Sequence, residues 1–88
     1  MATKINFNGE IHDQLSISVL DHGFLFGDSV YEVVCTFNNQ PCFLDKHLDR
    51  LFASAKAISL NIPHDNEWFL EQLKVTLGAA DNDESYIR

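Results

Sequence analysis

The sequence is short of basic residues, cysteine, glycine and proline, and each shortage closes off a class of function. Six lysines and arginines stand against thirteen aspartates and glutamates, a formal charge of −7, and the field of such a molecule repels phosphate backbones and anionic membrane surfaces. Nucleic acid is not an expected partner. Two cysteines, Cys35 and Cys42, are too few for a disulfide framework or a four-ligand zinc site. The histidines at 12, 22, 47 and 64 lack the i, i+4 spacing of a helical metal pair, so no metal is assigned. No apolar run nears the roughly 20 residues of a membrane span. The opening MATKINFNGE carries no stretch of signal-peptide type, and a cytoplasmic location is the expectation. Gly23 and Gly27 fit neither common phosphate-binding glycine motif. What remains, 45% hydrophobic and 22% charged residues, is ordinary globular composition.

A chain of 88 residues makes one domain, of a size that buries only about 60% of the surface its unfolded form exposes. A self-sufficient enzyme with a deep pocket is not expected at that length. Asn8-Gly9 between two short alternating runs predicts a hairpin ribbon. Leu15, Ile17 and Val19 alternate with serines and predict a half-buried strand or extended edge up to Leu20. The eight residues Asp21 to Asp28 pack two glycines around Phe24, Leu25 and Phe26, which reads as a sharply turning loop whose side chains seek burial, either in the core or at an interface.

Val30 to Phe37 predicts a strand with Tyr31, Val33, Cys35 and Phe37 on one face and Val30, Glu32, Val34 and Thr36 on the other. Asn38-Asn39 suits a two-residue type I′ turn into Gln40-Pro41-Cys42-Phe43. The implied register sets Phe37 opposite Gln40, Thr36 opposite Pro41 and Cys35 opposite Cys42. Pro41 then falls at a non-hydrogen-bonded pair, where its missing N–H costs nothing. A helix capped by Asp45 would carry Leu48, Leu51, Phe52, Ala55 and Ile58 on its core stripe and turn Arg50 away from it. A second helix opens at His64 or Asp65 and runs to Gly78, with Phe69, Leu70, Leu73 and Leu77 inward and Trp68 and Val75 elsewhere. Ser85 to Arg88 begins a further strand. These elements predict an α+β two-layer sandwich: an antiparallel sheet from the ribbon and the hairpin, covered on one side by two helices.

Few side chains stand out chemically on pattern alone. Arg50 has the planar donor fork that suits an oxyanion, yet the plainer reading pairs it with Asp49 or with the neighbours of Lys46. The face of Tyr31, Val33 and Cys35 could line a pocket, while alternating apolar faces are more often core. The carboxylate pairs Asp28/Glu32 and Asp45/Asp49 read as loop and helix-start residues rather than acid–base dyads. Cys35 and Cys42 oppose one another at a hydrogen-bonded pair, the wider site and the less suitable for a disulfide, and are expected as free thiols.

The stretch Asp21-His22-Gly23-Phe24-Leu25-Phe26-Gly27-Asp28-Ser29-Val30-Tyr31-Glu32 and the later His47-Leu48-Asp49-Arg50-Leu51-Phe52-Ala53-Ser54-Ala55 resemble the N-terminal domain of the class IV (fold-type IV) pyridoxal-phosphate aminotransferases. That group includes D-amino-acid and branched-chain aminotransferases and aminodeoxychorismate lyase. The resemblance covers nearly the whole chain and implies that residues 1–88 form an N-terminal domain, part of a longer enzyme whose catalytic lysine lies in a C-terminal domain. It implies pyridoxal 5′-phosphate as cofactor, with Arg50 on its phosphate. It places Tyr31, Val33 and Cys35 toward cofactor and substrate, and Arg88 beside the substrate carboxylate. At Cys35 many members carry arginine or lysine instead. The loop from His22 to Asp28 would lie near a dimer interface, so a homo-oligomer is implied, with an amino acid and a 2-oxo acid as substrates. None of Lys4, Lys46, Lys56 and Lys74 matches the family's Schiff-base lysine, so no catalytic residue is assigned and the chain alone is expected to be inactive. Two other readings stand beside this one: a lyase of the same family, and a binding or regulatory module built on the half-fold with Trp68, Val75 and Phe24 to Phe26 as its contact face.

Overall fold

Two asparagine turns set the register of the β structure. Asn8 and Gly9 take positive φ of 52° and 95°, as do Asn38 and Asn39 at 50° and 59°, the backbone of the tight hairpin turn that asparagine and glycine tolerate best. The computed structural model describes residues 2–88. Strands β1 (Ile5–Phe7) and β2 (Glu10–His12) pair antiparallel around the first turn. Around the second, β3 (Val34–Phe37) meets β4 (Gln40–Pro41) with Thr36 opposite Pro41 and Phe37 opposite Gln40, the register expected from sequence. Strand β4 ends at Pro41, short of the expected Cys35–Cys42 pair, and the Cys42 N–H donates to the Cys35 carbonyl at 3.0 Å as the chain turns into the next helix.

A third strand completes the second sheet. Strand β5 (Tyr86–Ile87) runs antiparallel on the other side of β3, with Val34 opposite Ile87 and Cys35 opposite Tyr86. Thr36 fastens it, since its N–H donates to the Ser85 carbonyl at 3.0 Å and its hydroxyl oxygen accepts the Ser85 N–H at 2.8 Å. The Glu84 carboxylate accepts the backbone N–H groups of Asn38 at 3.1 Å and Asn39 at 2.6 Å, tying the approach to β5 to the hairpin tip.

The fold is α+β, with antiparallel sheets flanked by helices, and departs from the expectation in how the sheets divide. Ribbon and hairpin form two separate sheets of two and three strands. The ribbon instead leans on helix α3 (Asn66–Ala80), where the Asn6 side-chain amide donates to Gln72 Oε1 at 2.9 Å and Thr76 Oγ1 at 3.0 Å. Asp65 caps α3 by accepting the Trp68 N–H at 2.9 Å, satisfying one of the free donors of the first turn. The helix passes through Gly78 and ends at Asp81 in a left-handed conformation. Trp68 is half-buried, stacked on His64 at 3.7 Å between ring centroids and edge-on to Phe69 at 5.1 Å. Leu70, expected inside, is exposed.

Helix α2 (Leu44–Ala57) begins one residue before Asp45, and Phe43 caps it from the left-handed region at φ 53° with no side-chain cap bond. Its expected stripe is inward at Leu48 and Ala55, which are 6% and 2% exposed, and Val34 of β3 is buried as well, at 5%. Those three are the buried apolar residues of the described chain. Ile58, at the helix end, is exposed.

Three further expectations are corrected. The strand predicted from Val30 starts only at Val34, because β5 and β4 offer ladder partners no earlier. Leu15 to Leu20 joins no sheet and lies exposed. The loop after it winds into a short helix, α1 (His22–Phe26), capped by Asp21 through the Phe24 N–H at 3.2 Å and closed by Gly27 at φ 70°. A Cβ at Gly23 would come within 2.9 Å of the capping Asp21 carboxylate, so glycine there makes room for the cap. Phe24, Leu25 and Phe26 are exposed rather than buried.

So small a core makes stability sensitive to single atoms inside it. Leu48→Ala is expected to cost about 2–5 kcal/mol, as for other buried leucines, and Leu70→Ala less than about 1 kcal/mol. Urea unfolding followed by Trp68 fluorescence separates the two, and equal losses would contradict this core.

Candidate functional site

The backbone between Tyr31 and Val34 divides the candidate residues into two groups. On the α2 side, Glu32 reaches across to His47 and Arg50. These two lie three residues apart on the helix and so share a face. Arg50 grips Glu32 with both arms of its fork: Nε donates to Oε2 at 2.7 Å and Nη2 to Oε1 at 2.7 Å. The His47 Nδ1–H donates to the same Oε1 at 2.8 Å, which fixes that tautomer because a carboxylate only accepts. The Glu32 side chain is 11% exposed, whereas that of Arg50 is 68% exposed. Arg50 therefore turns away from the core, as its helix position predicts, but its partner is Glu32 rather than Asp49.

The charge of this cluster is firmly set. Hydrogen bonding from Arg50, followed by that from His47, lowers the Glu32 pKa to about 2, outweighing the opposing effect of burial. Glu32 raises the Arg50 pKa in return. With Nε and part of Nη2 occupied, Nη1 and the outer hydrogen of Nη2 remain to face outward. Arg50 also lines a shallow depression together with Phe43, Lys46 and His47. An ammonium and a guanidinium beside one depression make a donor set that fits a small dianion such as a phosphate monoester.

On the opposite side, the predicted substrate residues converge. The guanidinium carbon of Arg88 lies 4.4 Å from the centre of the Tyr31 ring, within cation–π range. The β3–β5 register, continued one step, brings Arg88 alongside Val33. Tyr31 and Cys35 are exposed and Val33 is half-buried, so this alternating apolar face is not the core, which lies on the Val34 side. Arg50 joins none of these residues directly; Glu32 stands between the groups in sequence and points toward α2. Among the described residues, no cluster of histidine, cysteine and acidic side chains is arranged to hold a metal ion. No helix described is long and apolar enough to cross a membrane.

Sequence reasoning missed Glu32 and His47 as partners of Arg50. The available signals were a lone acid in an otherwise apolar run and the i, i+3 spacing of His47 and Arg50. Trp68, offered by the binding-module reading as a contact residue, is instead occupied with His64 and Phe69.

The chain belongs to the family described as amino-transferase class IV, whose pattern matches residues 29–88, taking in both groups of residues. It is 36% identical over 87 residues to a protein of Methanocaldococcus jannaschii named "Putative branched-chain-amino-acid aminotransferase", covering 97% of this chain and 30% of that protein. It is 40% identical over 74 residues to a D-alanine aminotransferase of Listeria monocytogenes, covering 84% of this chain and 26% of the other. A D-alanine aminotransferase of Bacillus licheniformis is 34% identical over 73 residues, covering 81% of this chain and 26% of its own length. The chain thus spans between a quarter and a third of the length of these relatives.

Because the folded Glu32 pKa lies near 2, against 4.5 ordinarily, its ion pair stabilises the fold above pH 4.5 and loses that effect as pH falls toward 2. Carbon-detected NMR titration of the Glu32 carboxyl is expected to show this, with Arg50→Gln moving the midpoint back up toward the ordinary value. A midpoint unchanged by that substitution would contradict the pairing.

Proposed function

We propose that this chain is the cofactor-side, N-terminal domain of a pyridoxal 5′-phosphate-dependent aminotransferase that moves an amino group between an amino acid and a 2-oxo acid. The observation that carries the reading is the bidentate hold of Glu32 on Arg50. It fixes the plane of the guanidinium and leaves its remaining N–H groups unused by Glu32, on a residue that lines a depression with Lys46 and His47. Arg50 would hold the cofactor phosphate there, with charge-assisted hydrogen bonds. Bound cofactor supplies the electron sink on which amino transfer depends.

The chain's other residues would act as a wall for the substrate. Tyr31 backs the Arg88 guanidinium and orients it, and Arg88 would receive the carboxylate that amino acids and 2-oxo acids share. Val33 and Cys35 give the adjoining surface a neutral, largely apolar character. That suits the small or branched aliphatic side chains suggested by the relatives' names.

Proton transfer at the amino carbon calls for a lysine amine shielded from water. Lys46, Lys56 and Lys74 are exposed and Lys4 is only partly covered and paired with Asp13, which supports assigning that step to residues outside this chain. Ile17, Val19, Leu20, Phe24 and Phe26 leave a large apolar area exposed. It supports self-association into a homo-oligomer, for which sedimentation should give a concentration-dependent mass, and a monomer at all concentrations would count against it.

Phosphorus NMR titration of the chain with pyridoxal 5′-phosphate tests the phosphate site. Arg50→Ala is expected to weaken binding about 10-fold or more, the worth of a hydrogen bond to a charged group, and pyridoxal lacking the phosphate should not compete. The same samples should show no ketoacid-dependent amino transfer. Equal binding by Arg50→Ala would overturn the phosphate site, and turnover by the chain alone would overturn the division of labour.

A further inference from the structure

Strand β5 brings Arg88 to Tyr31, yet little in the strand itself fixes where it lies. Its ladder with β3 consists of the pairs Val34–Ile87 and Cys35–Tyr86, and of its own residues Tyr86 is exposed and Ile87 only half-buried. Register is strongly specified where one face of a strand is buried and weakly where it is not. A slip of one residue would carry Arg88 to the Val34 side of β3, away from Tyr31 and Val33. The register has to be chosen by something outside the strand.

The hairpin tip supplies that choice. There the Glu84 carboxylate accepts hydrogen bonds from the Asn38 N–H at 3.1 Å, the Asn39 N–H at 2.6 Å and the Thr36 hydroxyl at 3.1 Å. Successive N–H groups of a turn form a concave seat for an anion, and here the anion is a side chain of the same chain. The Thr36 hydroxyl oxygen in turn accepts the Ser85 N–H at 2.8 Å, while the Thr36 N–H donates to the Ser85 carbonyl at 3.0 Å. Side chains alternate along an extended segment, so neither Asp83 nor Ser85 could fill the seat without turning β5 over.

We propose that Glu84 is a positioning residue for the substrate carboxylate: seated on the hairpin tip, it fixes the register of β5 and so keeps Arg88 on the Tyr31 side of β3. The inference rests on the reading of Arg88 given above, as the cation that receives the carboxylate of an amino acid or a 2-oxo acid. The hydrogen bonds of Glu84 reach neither Tyr31 nor Arg88. It acts through the main chain of β5, over about 13 Å of extended backbone. Removing it leaves the guanidinium on the chain but takes away its fixed place over the Tyr31 ring, 4.4 Å from the ring centre.

The test compares Glu84→Ala and Thr36→Val with Asp83→Ala, which removes the same charge from an exposed neighbour. Thr36→Val keeps the branched shape suited to a strand and deletes only the hydroxyl, so it carries the test should Glu84→Ala fail to fold by Trp68 fluorescence. Proton NMR reads the position of Arg88 directly, because the Tyr31 ring moves the side-chain signals of Arg88 upfield, and cross-strand contacts between Cys35 and Tyr86 report the register. Glu84→Ala and Thr36→Val are expected to lose most of that upfield shift and those contacts, and Asp83→Ala to keep both. Pyruvate, titrated against the Tyr31 ring signals, should bind about 10-fold more weakly to Arg88→Ala and about 5-fold more weakly to Glu84→Ala, on the scale of a hydrogen bond to a charged group. A folded Glu84→Ala chain with wild-type Arg88 signals and Cys35–Tyr86 contacts would overturn the role of Glu84 and leave that of Arg88 standing. Undiminished pyruvate binding by Arg88→Ala would instead overturn the carboxylate reading of Arg88, and the substrate role of Glu84 with it.

Discussion

The carboxylate of Glu32 is the point on which the functional half of the molecule turns. It is the one acid in the run from Val30 to Phe37, and it is held by two residues of α2 at distances of 2.7 to 2.8 Å. A paired and nearly covered carboxylate must keep both partners, because leaving it unpaired there is costlier than never placing it. The result is that the stretch before β3, which has no ladder partner of its own, is nonetheless fixed against the helix. That same pairing orients a largely solvent-facing arginine, whose long side chain would otherwise sample many rotamers.

The small core follows from the same arrangement. Val34, one turn of the pleat from Glu32, is buried, as are Leu48 and Ala55, and there the apolar interior of the described chain ends. A sheet whose other face carries Tyr31, Cys35 and Phe37 in the open is covered on one side only. Large apolar side chains exposed over α1 and the segment before it add to this. The molecule has the surface of something made to be covered further.

Local signals in the sequence were read well, and distant ones poorly. The Asn38-Asn39 turn and the Pro41 position specified the hairpin register, because turn geometry and a missing donor act within a few residues. The start of α3 at His64 or Asp65 was legible for the same reason, whereas the cap expected of Asp45 fails because α2 starts one residue earlier, from Phe43. The Glu32 cluster was not legible, since it joins residues 15 and 18 positions apart and no short-range rule links a strand-approach acid to a helical arginine. Leu70, expected inside, is exposed, and of the two readings of Phe24 to Phe26 the buried one does not hold within the chain. Periodicity identifies an apolar face, but whether anything covers that face depends on how much chain is available to do so. The inward face of β3 went unrecognised for a related reason: both faces of Val30 to Phe37 are apolar enough to be core, and only the placement of α2 decides between them.

The division of residues along the backbone from Tyr31 to Val34 has a further consequence for how such a chain can diversify. Side chains that alternate about a single backbone can be exchanged on one side without disturbing the other, so the identity at 33 or 35 is free to drift while the acid at 32 keeps its arginine. Length has no such freedom. Inserting or deleting one residue in this segment would rotate every following side chain to the opposite side, exchanging the side that faces α2 with the side that carries Tyr31 and Cys35 in a single event. Families built on this segment can thus be expected to tolerate substitutions here far more readily than gaps.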